Sequence, residues 1–395
     1  MKPASTQIIQ RRQFLKLIGL SGLSLLLTKC GLREIVTPTA LPVTSATPLP
    51  QPTPTRPTPS PVPSSTATAV PTPTYKSMVA TGRADSYDPR LLRQELERML
   101  DGIGGLGDLV KSGARVGIKP NLTGGTWTDA TLPVPATELY VTHPALVQAL
   151  AELLIDAGAG QITIMDGLGD PLIFSRWGYK DIAKPLNAKL VDLCVTSPYS
   201  DFVTYPVGSK RYIYDVLYMN AALKELDVFI SVAKMKCHST TGVTLSLKNL
   251  IGIAPISLYR EKDDQNNRSS FHESVVFDTR LPRVAIDLNM ARPVHLAIID
   301  GIFTAEGGAG PWDKGLSQVK PGVLVASKDP VAADAVATAI MGFDPSAPSK
   351  SHPFTHADNH LALASEVGLG TNHLDEIGIS GPQIKDISYP FKTAN

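Results

Sequence analysis

Val228-Phe229-Ile230-Ser231-Val232-Ala233-Lys234-Met235-Lys236-Cys237-His238 opens as an apolar run and closes as a basic one. Val228 to Val232 reads as a short buried strand, and the residues after it place Lys234, Lys236 and His238 at every second position. An extended chain would aim all three to one side. Similar apolar runs recur at Arg115 to Lys119, Gln161 to Met165, Leu190 to Cys194, His295 to Ile299 and Gly322 to Ala326, with amphipathic stretches between them. That alternation predicts an α/β fold, a mostly parallel sheet flanked by helices. Helices are expected from Pro144 to Ala157, entered through Thr142-His143-Pro144 and closed by Gly158, and from Pro330 to Met341, between Asp329 and Gly342. Phe202 to Val216, with Gly208-Ser209 between two tyrosine-containing runs, reads as an inserted β-hairpin.

Ahead of Tyr75 the chain changes character. Gln10-Arg11-Arg12-Gln13-Phe14-Leu15-Lys16, followed by the apolar run Leu17 to Leu27, matches a twin-arginine export signal. The run is shorter than the about 20 residues a spanning helix needs. Leu27-Thr28-Lys29-Cys30 resembles a lipoprotein box with Lys29 where a small residue is expected, so lipidation of Cys30 and its absence both stay open. From Ile35 to about Thr74, Pro, Thr, Ser and Ala dominate, which predicts a disordered, extended spacer. The chain therefore divides into a signal region (1–30), a Pro/Thr/Ser-rich linker (31–75) and an α/β domain (76–395), expected outside the cytoplasm at the membrane or cell envelope.

The 37 Lys and Arg residues balance 36 Asp and Glu, without the basic excess that a phosphate backbone demands, so nucleic acid is not an expected partner. Cys30, Cys194 and Cys237 are too few for a disulfide framework, or for an iron–sulfur cluster held by four cysteines of this chain. Whether Cys194 pairs with Cys237 is a question of distance that the sequence leaves open.

In open α/β sheets ligands bind beyond the carboxyl ends of the strands. Polar residues crowd there: Lys119 and Asn121, Asp166-Gly167, Lys234 to His238, Lys248-Asn249, Asp300-Gly301, and Glu306-Gly307-Gly308-Ala309-Gly310. The two strands ending in Asp-Gly echo each other, through duplication or because Asp-Gly is a common turn dipeptide. Lys119, Lys234, Lys236 and Lys248 predict a positive pocket for a small phosphate- or carboxylate-bearing ligand. Asn121, Asn249, Gly307 and Gly308 would offer neutral donors and close backbone approach. The alternative pairs each lysine with a nearby carboxylate. Asp166, Asp300 and Glu306 could hold a divalent cation such as magnesium, or equally serve as those partners. His238 and His272 are candidate general bases, whereas His143 reads as a helix cap. His352, His356 and His360 have i, i+4, i+8 spacing, but Pro353 limits helix there and no glutamate follows as a zinc-protease helix requires.

These segments, in this order, resemble an uncharacterised family, domain of unknown function 362, over about Val116 to Gly370. The matching pieces are Ile118-Lys119-Pro120-Asn121, Thr142-His143-Pro144, Lys234 to His238, Ser246-Leu247-Lys248-Asn249-Leu250-Ile251-Gly252, Asp300-Gly301 with Glu306-Gly307, and Asp329-Pro330-Val331-Ala332-Ala333-Asp334. The resemblance implies no particular reaction. Some relatives carry an added ferredoxin-like domain, but its cysteines are missing here, so no electron-transfer role follows. Three functions compete: an envelope enzyme acting on a small anionic substrate, a non-catalytic lipoprotein that binds an anionic solute or polymer, and a structural or assembly factor whose polar residues form an internal salt-bridge network.

Overall fold

The structure, a computed structural model, describes residues 75–273 and 277–394. The export signal, Cys30 and nearly all of the linker lie outside the described residues. The strands are β1 (Ser77–Arg83), β2 (Ala114–Pro120), β3 (Ala159–Asp166), β4 (Lys189–Asp192), β5 (Phe202–Pro206), β6 (Val216–Asn220), β7 (Val228–His238), β8 (Gly242–Thr244), β9 (Leu296–Glu306), β10 (Ser317–Val319), β11 (Val323–Ser327) and β12 (Ile377–Ser380). The main sheet runs β12-β1-β11-β9-β7-β2-β3-β4, with β8 added to β7 and β10 to β9. Along that path only β11 opposes its neighbours, so the sheet is mostly parallel.

Side chains alternate across this sheet and divide the core into two layers. Val228, Ile230 and Val232 pack with Leu92 and Leu96 of helix Pro89–Asp101 and with Leu146 and Leu150 of helix Pro144–Asp156. Phe229, Met235 and Cys237 face the other way, onto helices Arg280–Ala291, Pro330–Ile340 and His360–Val367. β2 ends opposite Val232, so the last six residues of β7 overhang its carboxyl end. That overhang is the floor of the site.

Two predicted helices stand nearly where their caps place them. His143 Nδ1 accepts the Ala145 N–H at 3.2 Å, and Asp329 accepts those of Val331 and Ala332. Thr142 does other work. Its hydroxyl accepts the Asn121 N–H and donates to the Val232 carbonyl, tying β2 to β7.

The hairpin forms from β5 and β6, but its second arm begins where the predicted segment ends. Residues 211–214 are loop instead, because the buried Asp287 carboxylate takes the N–H groups of Tyr212, Ile213 and Tyr214. Cys194 and Cys237 are both free thiols. No helix among the described residues is long and apolar enough to cross a membrane.

Candidate functional site

Four lysines gather near the carboxyl ends of the parallel strands, and they fall into two kinds. Lys119 Nζ meets Asp166 Oδ1 at 2.6 Å, the Pro120 carbonyl at 3.0 Å and Asn249 Oδ1 at 3.1 Å. Lys234 Nζ meets Asp300 Oδ2, the Tyr87 hydroxyl and the Thr137 carbonyl, each at 3.0 Å. An ammonium has three N–H groups, and each of these lysines uses all three. Burial pulls both below the ordinary lysine value, while the adjacent carboxylate opposes that pull.

The carboxylates are equally committed. Asp166 accepts the backbone N–H groups of Leu122 and Gly167, and Asp300 accepts the Tyr87 hydroxyl and the His143 N–H. Gly252 makes room for the first pair, since a Cβ there would lie 2.3 Å from Asp166 Oδ1 and 2.7 Å from Lys119 Nζ.

Lys236 and Lys248 differ from these two. Lys236 Nζ is buried and donates to Asn121 Oδ1 at 3.0 Å and the Ala309 carbonyl at 2.9 Å, with no carboxylate in ion-pair contact among the described residues. Burial drives its amine well below the ordinary value, reinforced by Lys248, Lys234 and Lys119 and opposed by Asp313. Lys248 sits on a short helical turn, Ser246–Asn249, and its Nζ makes no hydrogen bond among the described residues. Burial lowers it to about 8, against the pull of Asp313 and Asp278.

Both lysines line a cleft of about 530 Å³, including its open mouth, with Lys119, Asn121, Asp166, His238, Asn249 and Arg268. The Arg268 guanidinium holds the Ala254 and Gly252 carbonyls and has no carboxylate in ion-pair contact among the described residues. The cleft widens outward to Trp127, Trp312, Asn266 and His272. Both tryptophans are more than half exposed, 60% and 54%, and offer flat faces at the rim.

The two histidines divide the roles first assigned to both. His238 Nδ1 accepts the N–H groups of Thr240 and Thr241, so its proton resides on Nε2 and the ring is a donor. Burial, with Lys248, His272 and Lys236 nearby, keeps it neutral well below the ordinary histidine value. His272 is half-exposed, and its Nδ1 lies 2.9 Å from Asp278 Oδ2. Burial raises the Asp278 carboxyl, but its bonds from His272 and from the Leu281 and Arg280 N–H groups bring it below the ordinary value. An ionised carboxylate only accepts, so Nδ1 donates, and when the ring is neutral Nε2 carries the lone pair.

Several predicted site residues stand elsewhere. Lys234 and Asp300 form their own buried pair away from the cleft lining, because the pairing of β7 with β9 shifts register between Lys234 and Lys236. Glu306 binds the Lys392 ammonium and N–H. Asp166, Asp300 and Glu306 thus hold three different partners. Among the described residues no group of three or more His, Cys, Asp or Glu side chains is placed to hold a metal ion. Gly307 packs on Gly315 and Gly308 on Asp313, and it is the next residue, Ala309, that enters the cleft. Asn249 Nδ2 is spent on Lys119 O and Ser231 Oγ, leaving Asn121 as the freer amide.

Arg268, Trp127, Trp312 and Asp278 went unnoticed in the sequence, and Asp334, noted there within the Asp329-to-Asp334 piece, was given no role. Asp334 accepts the N–H groups of Ser246 and Leu247, so the Asp329-to-Asp334 segment caps its own helix and also the turn carrying Lys248.

Fold and site together define an α/β protein with a basic cleft at the carboxyl ends of its parallel strands. The chain belongs to the family described as Domain of unknown function (DUF362), whose sequence model matches residues 116–339. It is 27% identical over 320 residues to the thylakoid-associated protein sll1697 of Synechocystis sp. (strain ATCC 27184 / PCC 6803 / Kazusa), covering 78% of this chain and 88% of that protein. Among solved structures it is similar to a Thermotoga maritima protein at 10% identity and TM-score 0.33, over 66% of this chain and 60% of that one. A lactate racemase apoprotein from Thermoanaerobacterium thermosaccharolyticum matches at 14% identity and TM-score 0.33, over 58% of this chain and 52% of that one.

Proposed function

We propose that the cleft binds a small anionic ligand carrying phosphate or carboxylate, and that the protein is an enzyme acting on it. The observation that carries this is the convergence of Lys248 and Arg268, two cations without a carboxylate in contact among the described residues, on the cleft that holds the Lys236 amine. Structural lysines elsewhere in the same sheet acquire carboxylates, and a buried cation left without one is costly unless a ligand supplies the charge. Arg268 offers a planar fork suited to carboxylate or phosphate, and Asn121 and the Nε2–H of His238 add neutral donors. His272 Nε2, with Asp278 behind it, is the group able to take a proton, which favours an enzyme over a passive binder.

The test is thermal unfolding of the full chain against inorganic phosphate, acetate and citrate. A ligand at 100 times its dissociation constant stabilises by about 2.7 kcal/mol. An upward shift that disappears in Arg268→Ala supports the reading. No shift with any anion would assign the polar residues to an internal network instead.

The site would work outside the cytoplasm, with the twin-arginine segment directing export and Cys30 a lipid anchor. A relative named for thylakoid association supports a membrane-associated setting. Incorporation of a fatty-acid analogue into wild type but not Cys30→Ala would support the anchor, and an unlabelled wild type would end it.

A further inference from the structure

We infer that the side-chain amine of Lys236 is a nucleophile that forms an imine with a carbonyl compound carrying the carboxylate or phosphate bound in this cleft. This rests on the anion-binding reading and adds the substrate class. Lys119 and Lys234 each meet three acceptors, one of them a carboxylate, as an ammonium requires. Among the described residues Lys236 meets two, both neutral: Asn121 Oδ1 and the Ala309 carbonyl. Two acceptors match the two N–H groups of an uncharged amine and leave its lone pair free.

The groups around Nζ support that state. Lys248, Lys234 and Lys119 disfavour another positive charge, while Asp313, out of ion-pair contact, and the Tyr140 ring, 5.8 Å from Nζ to its centroid, favour it. A desolvated amine beside other cations is a standard way of making lysine nucleophilic at neutral pH. Lys236 and Lys248 line the same cleft as Arg268, so an anionic group held by the latter two sits beside the amine.

The step balances without an oxidant or reductant. The Nζ lone pair adds to the carbonyl carbon as the C=O π bond breaks, and one of the two Nζ protons passes to the oxygen to give a neutral carbinolamine. The C–O bond then breaks, the hydroxyl leaves as one water with the second Nζ proton, and the carbon–nitrogen double bond remains. When protonated, the imine keeps one N–H for Asn121 or Ala309. It also draws electrons from the neighbouring carbon and so acidifies its proton.

The experiment is borohydride trapping on the full-length protein with pyruvate and, separately, glycolaldehyde phosphate, followed by peptide mass mapping. The expected result is a reduced adduct on Lys236 with at least one probe, suppressed by excess inorganic phosphate and lost in Lys236→Arg. Which probe labels distinguishes carboxylate from phosphate as the natural anion. Adducts confined to exposed lysines such as Lys76 and Lys392, or a Lys236 adduct indifferent to phosphate, overturn the inference. Because the map and the phosphate competition use wild type, the answer does not depend on the variant folding. A phosphate-induced thermal shift without a Lys236 adduct would sink the imine and leave the anion site standing; no shift at all would remove the anion site itself.

Discussion

Lys234 and Lys236 are two residues apart on one strand, yet the first is paired with a carboxylate and the second meets only neutral acceptors among the described residues. Lys234 faces Asp300 across the parallel register of β7 and β9, and Lys236 lies past the point where that register shifts. The difference lies in what stands opposite each lysine: for Lys234 a carboxylate on the neighbouring strand, Asp300, and for Lys236 a backbone carbonyl in the loop after that strand, Ala309. Lys119 belongs with Lys234, and Lys248 with Lys236. Burial alone therefore does not mark a functional lysine in this fold; burial without a carboxylate does.

The strongest way to break that division is to remove a carboxylate from a paired lysine. Asp300→Asn leaves Lys234 buried with no counter-charge, and removing one partner of a buried pair typically costs about 3–5 kcal/mol. Denaturant unfolding should show the loss in midpoint with little change in slope. Asp166→Asn should behave alike for Lys119. A fall of less than about 1 kcal/mol in both would mean that the pairs do not hold the strands as described.

The unpaired group predicts the opposite. Lys248→Met removes a half-buried ammonium that bonds to nothing among the described residues, so stability without ligand should hold or rise. Affinity for inorganic phosphate, measured by titration calorimetry, should fall about 10- to 100-fold, the equivalent of one charged hydrogen bond. Arg268→Ala should lose as much binding, with some stability, because its guanidinium also holds two carbonyls. Unchanged phosphate affinity in both variants would make the division one of packing alone.

How much of this was legible beforehand follows the same line. The parallel sheet, its two capped helices and the run of polar residues at strand ends could be read because apolar periodicity and cap chemistry are local. β1 and β12 were missed. They pair with each other across the whole domain, and neither short run carries a local signal. Lys119, Asn121, Lys236, Lys248 and His238 do meet in one cleft. What spacing could not reveal was which lysine had already found its carboxylate, since Asp166 and Asp300 are distant in sequence and their claim on a lysine depends on register. Arg268 lies in the loop between Tyr259 and Arg280, where no periodicity points to a partner. The tautomers of His238 and His272 were likewise fixed by groups that only the fold assembles: two backbone N–H groups for one, Asp278 for the other.

A pH series sharpens the comparison further. Burial lowers the folded-state value of Lys248 to about 8 from the ordinary lysine value of 10.5. Between those values the unfolded chain binds a proton that the folded one has released, so this residue makes stability rise with pH through that window and contributes no slope below it. Lys248→Met should flatten that rise. Phosphate binding should run the other way, weakening by at most about tenfold per pH unit above pH 8 as the ammonium is lost. Binding that is flat from pH 7 to 10 in wild type would remove Lys248 from the site.

The smallest effect belongs to a pair that looks alike in sequence. Lys392 meets Glu306 at 3.1 Å, but its side chain is 81% exposed. Its partner Glu306 is buried but keeps the bond from the Lys392 N–H, and water already solvates the ammonium, so the Coulomb gain is small, near the about 0–1 kcal/mol of exposed pairs. Lys392→Ala should leave both the unfolding midpoint and phosphate affinity at wild-type values. Were it to cost as much as Asp300→Asn, pairing rather than burial would be the quantity that separates the two kinds of lysine, and the assignment of Lys236 would lose its physical basis.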